Sequence, residues 1–234
     1  MIFKEAGQIF FPVHCPICDR AQPRGQRICP ECKDIPRIVP NPKCIKCSKH
    51  ISKPGEIYCY DCLRNPREFD RGFSLFEYAS VHDSISTFKN LGRPEYGIYY
   101  GQVLGGYFKE ELEKLHADAL IPIPLHREKY RLRGYNQAEI LADEIGKIIS
   151  VPVYTSVLLR PNKTKVQKNL GRSERRNNMK KAFHIAENDV KLKTVILVDD
   201  IYTTGSTIGA AAAVLKTVGA ERIFFVTLAT GRGY

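Results

Sequence analysis

The sequence lacks any apolar run approaching the roughly 18 residues that a membrane helix requires, so membrane insertion is not expected. The stretch from Met1 to Val13 holds one lysine and a short apolar patch at Ile9, Phe10 and Phe11. It has no basic start, no long apolar centre and no small-residue cleavage site, which argues against an export signal and for a cytoplasmic protein. The pattern Gly-x-x-x-x-Gly-Lys-Ser/Thr is absent, which excludes a simple nucleotide P-loop. Beyond Cys62 there is no cysteine at all, and before it none stands outside a Cys-x-x-Cys pair. A reducing compartment with paired cysteines speaks against disulfides and for metal.

What is present divides the chain in two. Its 234 residues suit one full domain with a small appendage. Residues 1–66 are rich in Cys, Pro and Lys and carry four pairs: Cys15/Cys18, Cys29/Cys32, Cys44/Cys47 and Cys59/Cys62. Each pair is a tight turn that aims two sulfurs at one metal, and two pairs close a tetrahedral site. The separations of ten and eleven residues between pairs match zinc ribbons, and the similarity of the two halves suggests a tandem duplication. Sequential pairing is favoured: Cys15, Cys18, Cys29 and Cys32 on one Zn²⁺, and Cys44, Cys47, Cys59 and Cys62 on a second. An interleaved arrangement is the alternative. With every position filled by sulfur, both ions would be structural, and His14 and His50 would be bystanders.

After Asn65–Glu68, read as a linker, strands and helices alternate. Strands are expected over Gly72–Tyr78, Ala119–Ile123, Val157–Leu159, Thr194–Val198 and Arg222–Leu228. Helices are expected over Tyr96–Leu115, Asn136–Ile149 with Asn136 as N-cap, and Thr207–Val218 with Gly219 as its stop. Alternation of this kind implies an α/β fold, a mainly parallel sheet flanked by helices, over residues 67–234.

The most informative stretch is Val195–Thr207, VILVDDIYTTGST. An apolar strand brings Asp199 and Asp200 to the carboxyl edge of the sheet, where ligands of open α/β folds sit. Small hydroxyl residues and Gly205 follow, and then a helix starts. Backbone N–H groups at a helix start attract an anion, and Thr203, Thr204, Ser206 and Thr207 add hydroxyl donors. Two acids beside a phosphate nest suit a phosphorylated sugar.

The net charge of +11 is concentrated. Arg160–Lys181 carries a net +8 and Arg127–Arg133 a net +3, which together account for the whole excess. Such a face reads as phosphate recognition, of a small ligand or of a nucleic-acid backbone. Single-strand binding also asks for stacking platforms, for which Tyr130, Tyr135, Phe183 and Tyr202 are the aromatic candidates.

Residues 195–207 resemble the phosphoribosyl pyrophosphate (PRPP) signature of type I phosphoribosyltransferases. With the cysteine pairs, Phe10-Phe11-Pro12, Ile121-Pro122-Ile123-Pro124-Leu125, Arg133-Gly134-Tyr135-Asn136-Gln137 and the spaced Arg160…Thr164…Gln167…Leu170…Arg175…Asn178…Ala182-Phe183, the chain resembles the ComF family over nearly its whole length. That resemblance implies a phosphoribosyltransferase-like α/β domain behind a double zinc-ribbon module, acting in natural transformation on incoming single-stranded DNA. It implies that Asp199 and Asp200 hold ribose hydroxyls and that Thr203, Thr204, Gly205, Ser206 and Thr207 hold the 5-phosphate of PRPP or another ribose 5-phosphate ligand, with Mg²⁺. Arg127, Arg133 and Arg160 would face the pyrophosphate, from a loop at Pro124–Arg133 and a covering loop at about 160–178. Lys163, Lys165, Lys168, Arg172, Arg175 and Arg176 would meet DNA, and a DNA-uptake helicase would be a partner. Two functions stand side by side: a glycosyltransferase that transfers phosphoribose, and a binding module that reuses the pocket.

Overall fold

The computed structural model describes residues 13–23, 25–160, 183–185 and 192–231. The sheet has four parallel strands in the order β1 (Arg71–Glu77), β6 (Arg222–Thr230), β5 (Thr194–Tyr202), β2 (Ala119–Pro122). The two central strands are apolar on both sides. On β5, Val195 and Leu197 enter one core cluster while Ile196 and Val198 enter the other. Period-two alternation across a doubly covered sheet requires this.

One face is covered by α2 (Tyr78–Asn90), α3 (Pro94–Tyr107), α4 (Lys109–Glu113) and α6 (Gln137–Ile149). Gly97, Gly101 and Gly105 let α3 lie directly on α6: a Cβ on Gly101 would sit 2.6 Å from Glu144 Cβ. The N-cap of α6 is Asn136, whose side chain accepts from Ala138 N, as expected from the sequence. The helix expected over Tyr96–Leu115 is broken at Phe108, which caps α3 and starts α4.

The opposite face is covered by α7 (Ser206–Thr217) and by the second cysteine module. Cys44, Cys47, Ile51 and Cys59 share a cluster with Phe69, Val195, Leu197, Ile208 and Leu215. A zinc ribbon thus occupies ground that a second helix would take in a layered α/β fold. Residues 37–39 also pair with the outer edge of β1, through Val39 N to Leu75 O (2.9 Å) and Glu77 N to Arg37 O (2.8 Å). The far edge, β2, is covered by the chain around Val153, with Leu120 N bonded to Pro152 O and Tyr154 N to Leu120 O. Neither edge is left as an open template.

The first cysteine module has a separate small cluster of Cys15, Cys29 and Cys32. It is tied to α3 by Tyr96 Oη donating to Asp19 (2.5 Å) and by Arg93 pairing with the same carboxylate (3.1 Å). Burial opposes the charge on Asp19, but the bonds from Tyr96 and Arg93 outweigh it and hold the carboxyl below its usual range. Two short elements complete the described chain around the site: α5 (Arg127–Arg133) and an antiparallel pair, β3 (Leu158–Leu159) with β4 (His184–Ile185). Helix α1 (Tyr60–Arg64) carries the last cysteine.

Candidate functional site

Strand β5 runs on past Val198 to Tyr202, so both acids lie on the strand itself, Asp199 paired in register with Thr227. Asp200 N donates to Asp199 Oδ1 at 2.9 Å. Burial, then the neighbouring Asp200 charge, push the Asp199 carboxyl well above the usual range. Asp200 is buried and ion-paired with Lys89, the cation near the end of α2.

The chain then turns through Thr203–Gly205 into α7. Gly205 has φ +71°, a left-handed conformation, and a Cβ there would fall 2.4 Å from Tyr202 Oη. Thr204 Oγ1 shares a hydrogen bond with Ser206 Oγ (2.8 Å). Thr203 and Thr204 are exposed, and Ser206 and Thr207 half-buried. Thr204 Oγ1 also accepts from Ser206 N (3.4 Å), so the hydroxyls of the turn cap the helix start.

A cleft of about 140 Å³ joins these parts. Its lining brings together Asp199, Asp200 and Thr207, the cations Lys89, Lys129, Arg133 and Arg160, and Asn136 and Gln137 at a helix start. Arg133 donates to Gln137 Oε1 (2.9 Å), and Asn136 Nδ2 holds the carbonyl of Ile123 (3.1 Å). Burial, then Arg133, Arg160 and Lys89, lower the Lys129 pKa, and burial lowers that of Arg160 while Asp199 opposes it. Cations held below their ordinary values by burial and mutual repulsion favour an incoming anion.

A broader groove of about 680 Å³ adjoins the cleft and shares Pro124, Leu125 and Arg160 with it. Arg127, Tyr130 and Arg131 of α5 line one wall, and Leu158, Leu159 and His184 the other.

The eight cysteines form two tetrads, Cys15/Cys18/Cys29/Cys32 and Cys44/Cys47/Cys59/Cys62, with the sulfurs of each within 4.8 Å of one another. Sulfur separations of 3.6 Å recur in both. Four sulfurs about 2.3 Å from a tetrahedral zinc stand about 3.8 Å apart, so each tetrad fits one structural zinc ion in the sequential pairing. His14 and His50 lie outside the tetrads and bond Arg93 and the carbonyl of Pro40.

Two known domain families match parts of the chain. A double zinc ribbon domain matches residues 6–63 and a phosphoribosyl transferase domain residues 133–234. Competence protein F of Haemophilus influenzae is 28% identical over 215 residues, covering 83% of this chain and 93% of that protein. Competence protein ComFC of Streptococcus pneumoniae is 27% identical over 191 residues, covering 77% and 84%. The chain is a homologue of the ComF competence proteins. DNA utilization protein YhgH of Escherichia coli K12 is a further relative, 26% identical over 219 residues that cover 89% of this chain and 86% of that one. No described helix is long and apolar enough to cross a membrane.

Within this ComF homologue, the expected ligand residues separate into three groups. Asp199, Asp200, Thr207, Arg133 and Arg160 meet in the cleft, while Thr203–Ser206 lead into Thr207 along the chain without lining it. Arg127 lines the groove instead. Lys163, Lys165, Lys168, Arg172, Arg175 and Arg176, and most of the expected covering loop, lie outside the described residues. The segment expected as a pyrophosphate loop is helical from Arg127 to Arg133, with His126 capping it and Gly134 ending it at φ +82°. Of the candidate platforms, Tyr130 is exposed, while Tyr202 is stacked on Phe225, Phe183 is buried and Tyr135 is stacked on Phe88. Sequence reading missed Lys89 and gave Lys129 no role. Lys89 follows Val81, Ile85 and Phe88 at helical spacing, which is the one signal that could have placed it on a helix.

Proposed function

We propose that the cleft binds PRPP with Mg²⁺ and that the protein acts in the cytosol during natural transformation, on or with incoming single-stranded DNA. The observation that supports this most directly is the meeting of two β5 carboxylates, four cations and Thr207 of the following helix start in one cleft. In this reading Asp199 and Asp200 accept bonds from the ribose hydroxyls, Thr203–Thr207 hold the 5-phosphate, and Lys89, Lys129, Arg133 and Arg160 face the pyrophosphate. Two adjacent carboxylates, one held above its usual range, form a donor set that a divalent cation suits. When bound, Mg²⁺ would screen the charge between ligand and carboxylates.

If phosphoribose is transferred, the bond from ribose C1 to pyrophosphate breaks, its electron pair leaves on the pyrophosphate oxygen, and an acceptor bonds to C1. The cations stabilise the departing charge, and no nucleophilic side chain is needed. Lys89 is paired with Oδ2 of Asp200, and a ribose hydroxyl would share that carboxylate with it or take its place. Calorimetric titration of PRPP with Mg²⁺ into wild type and into the Asp199→Asn, Asp200→Asn double variant tests the reading. Binding to wild type and none to the variant is expected. Absence of binding to folded, zinc-loaded wild type would sink it.

The groove favours a second reading, a single-stranded-DNA or partner-binding module. It combines Arg127, Arg131, Arg160 and His184 with an exposed aromatic ring, Tyr130. Oligonucleotide affinity should fall steeply between low and physiological salt, and charge reversal at Lys163, Lys165 and Lys168 together should abolish it. Salt-independent or unchanged binding in fluorescence anisotropy would remove this reading. A DNA-uptake helicase as partner rests on the ComF relationship.

A further inference from the structure

The turn that begins α7 is held in place by a residue remote from it in the chain. Arg67, in the segment between the cysteine modules and β1, donates through Nη2 to the carbonyl of Thr204 at 2.9 Å. The two residues are 137 positions apart. A peptide unit is planar and trans, so fixing the Thr204 carbonyl on one side turns the Gly205 N–H to the other. We propose that Arg67 is a positioning residue for anion binding, which aims the Gly205 N–H into the phosphate nest.

Three further contacts make the arm stiff enough for this task. The aliphatic stem of Arg67 lies over Gly209, one turn into α7, with Cδ only 3.0 Å from where a Cβ would stand. Phe69, two residues on, is fully buried and packs edge-on against Phe225 (4.9 Å) and Tyr202 (6.2 Å). Tyr202 lies under Gly205 and is stacked on Phe225 with 7° between the rings. The Thr204–Gly205 peptide is therefore gripped from outside by a guanidinium and from beneath by a phenol. Without the guanidinium the peptide is free to rotate about its flanking bonds, the motion that interconverts type I and type II turns. The rotated form would present a carbonyl oxygen to the phosphate.

This inference rests on the phosphate reading of Thr203–Thr207, and the test separates the two. Ribose 5-phosphate and PRPP are titrated into wild type, Arg67→Ala, Arg67→Lys and Gly209→Ala, alongside zinc content, thermal midpoint and the amide shift of Gly205 in ¹⁵N-labelled protein. Arg67→Ala should bind both ligands about tenfold more weakly, the size of one charge-assisted hydrogen bond. Its zinc content and midpoint should stay near wild type, and the ligand-induced shift at Gly205 should shrink. Arg67→Lys should recover part of the affinity, and Gly209→Ala, which displaces the stem, should lose some. Wild-type binding with undiminished affinity in Arg67→Ala would overturn the role of Arg67 alone. Affinity losses that follow the thermal midpoint across all three variants, with no change at Gly205, would also overturn it. Failure of wild type to bind either ligand would remove the phosphate reading and this inference with it.

Discussion

Asp199 shows what the cleft costs the fold. Its carboxyl is driven upward by burial and by the Asp200 charge, with the more distant Lys89 opposing. An acid whose native pKa exceeds its unfolded value favours folding at low pH, and that advantage is lost as the pH rises through the native pKa. At neutral pH the charged form is therefore strained in the unliganded protein. Asp199→Asn should raise the thermal midpoint at pH 7.5 while weakening PRPP binding, and the gain should shrink as the pH falls toward 5. Differential scanning fluorimetry across that range checks the sign. A midpoint lowered at pH 7.5 would show that the carboxylate is satisfied where it stands. The ion pair of Lys89 with Asp200 has the opposite character, since it holds a charge in place until a ligand hydroxyl takes over.

Among the elements, legibility followed burial. Strands β2, β5 and β6 and helices α6 and α7 were readable because each carries an apolar run or stripe dictated by the sheet it serves. Helix α2 was missed because only Val81, Ser84, Ile85 and Phe88 are buried among polar neighbours. Helix α5 stands where the family resemblance implies a loop; it buries nothing and Leu132 is 87% exposed, so no apolar stripe marks it in the sequence. The acids and the hydroxyl turn were legible as a local motif, but Lys89, Lys129 and Arg67 reach the site by tertiary packing, which leaves no local signature. The two cysteine modules look alike in sequence and differ in place: one packs on its own cluster, the other on the core of the sheet. Cys47→Ser should therefore lower the midpoint sharply and abolish PRPP binding along with one zinc. Cys15→Ser should lose one zinc and leave most of the midpoint and the binding intact. Zinc content, melting and calorimetry on both variants decide it, and equal damage from both would mean that the modules act as one unit.

For the molecule as a whole, charge and architecture are segregated. The excess positive charge falls in two stretches of sequence, 127–133 and 160–181, whose described members Arg127, Lys129, Arg131, Arg133 and Arg160 line the groove or the cleft, while the zinc modules cover the β1 edge and one face of the sheet. Where stability and ligand recognition draw on different parts of the chain, changes on the basic side are free to tune binding with little effect on folding.

The strand order β1-β6-β5-β2 has a consequence for synthesis. The two outer strands come first in the chain, and the two inner ones, from Thr194 onward, come last. While the chain is still emerging from the ribosome, the cysteine pairs can already take up metal, but β1 and β2 have no shared neighbour to join. Residues 37–39 and 152–154 supply only the outer partners of β1 and β2, so the nascent sheet waits, with both rims guarded, for its centre to arrive.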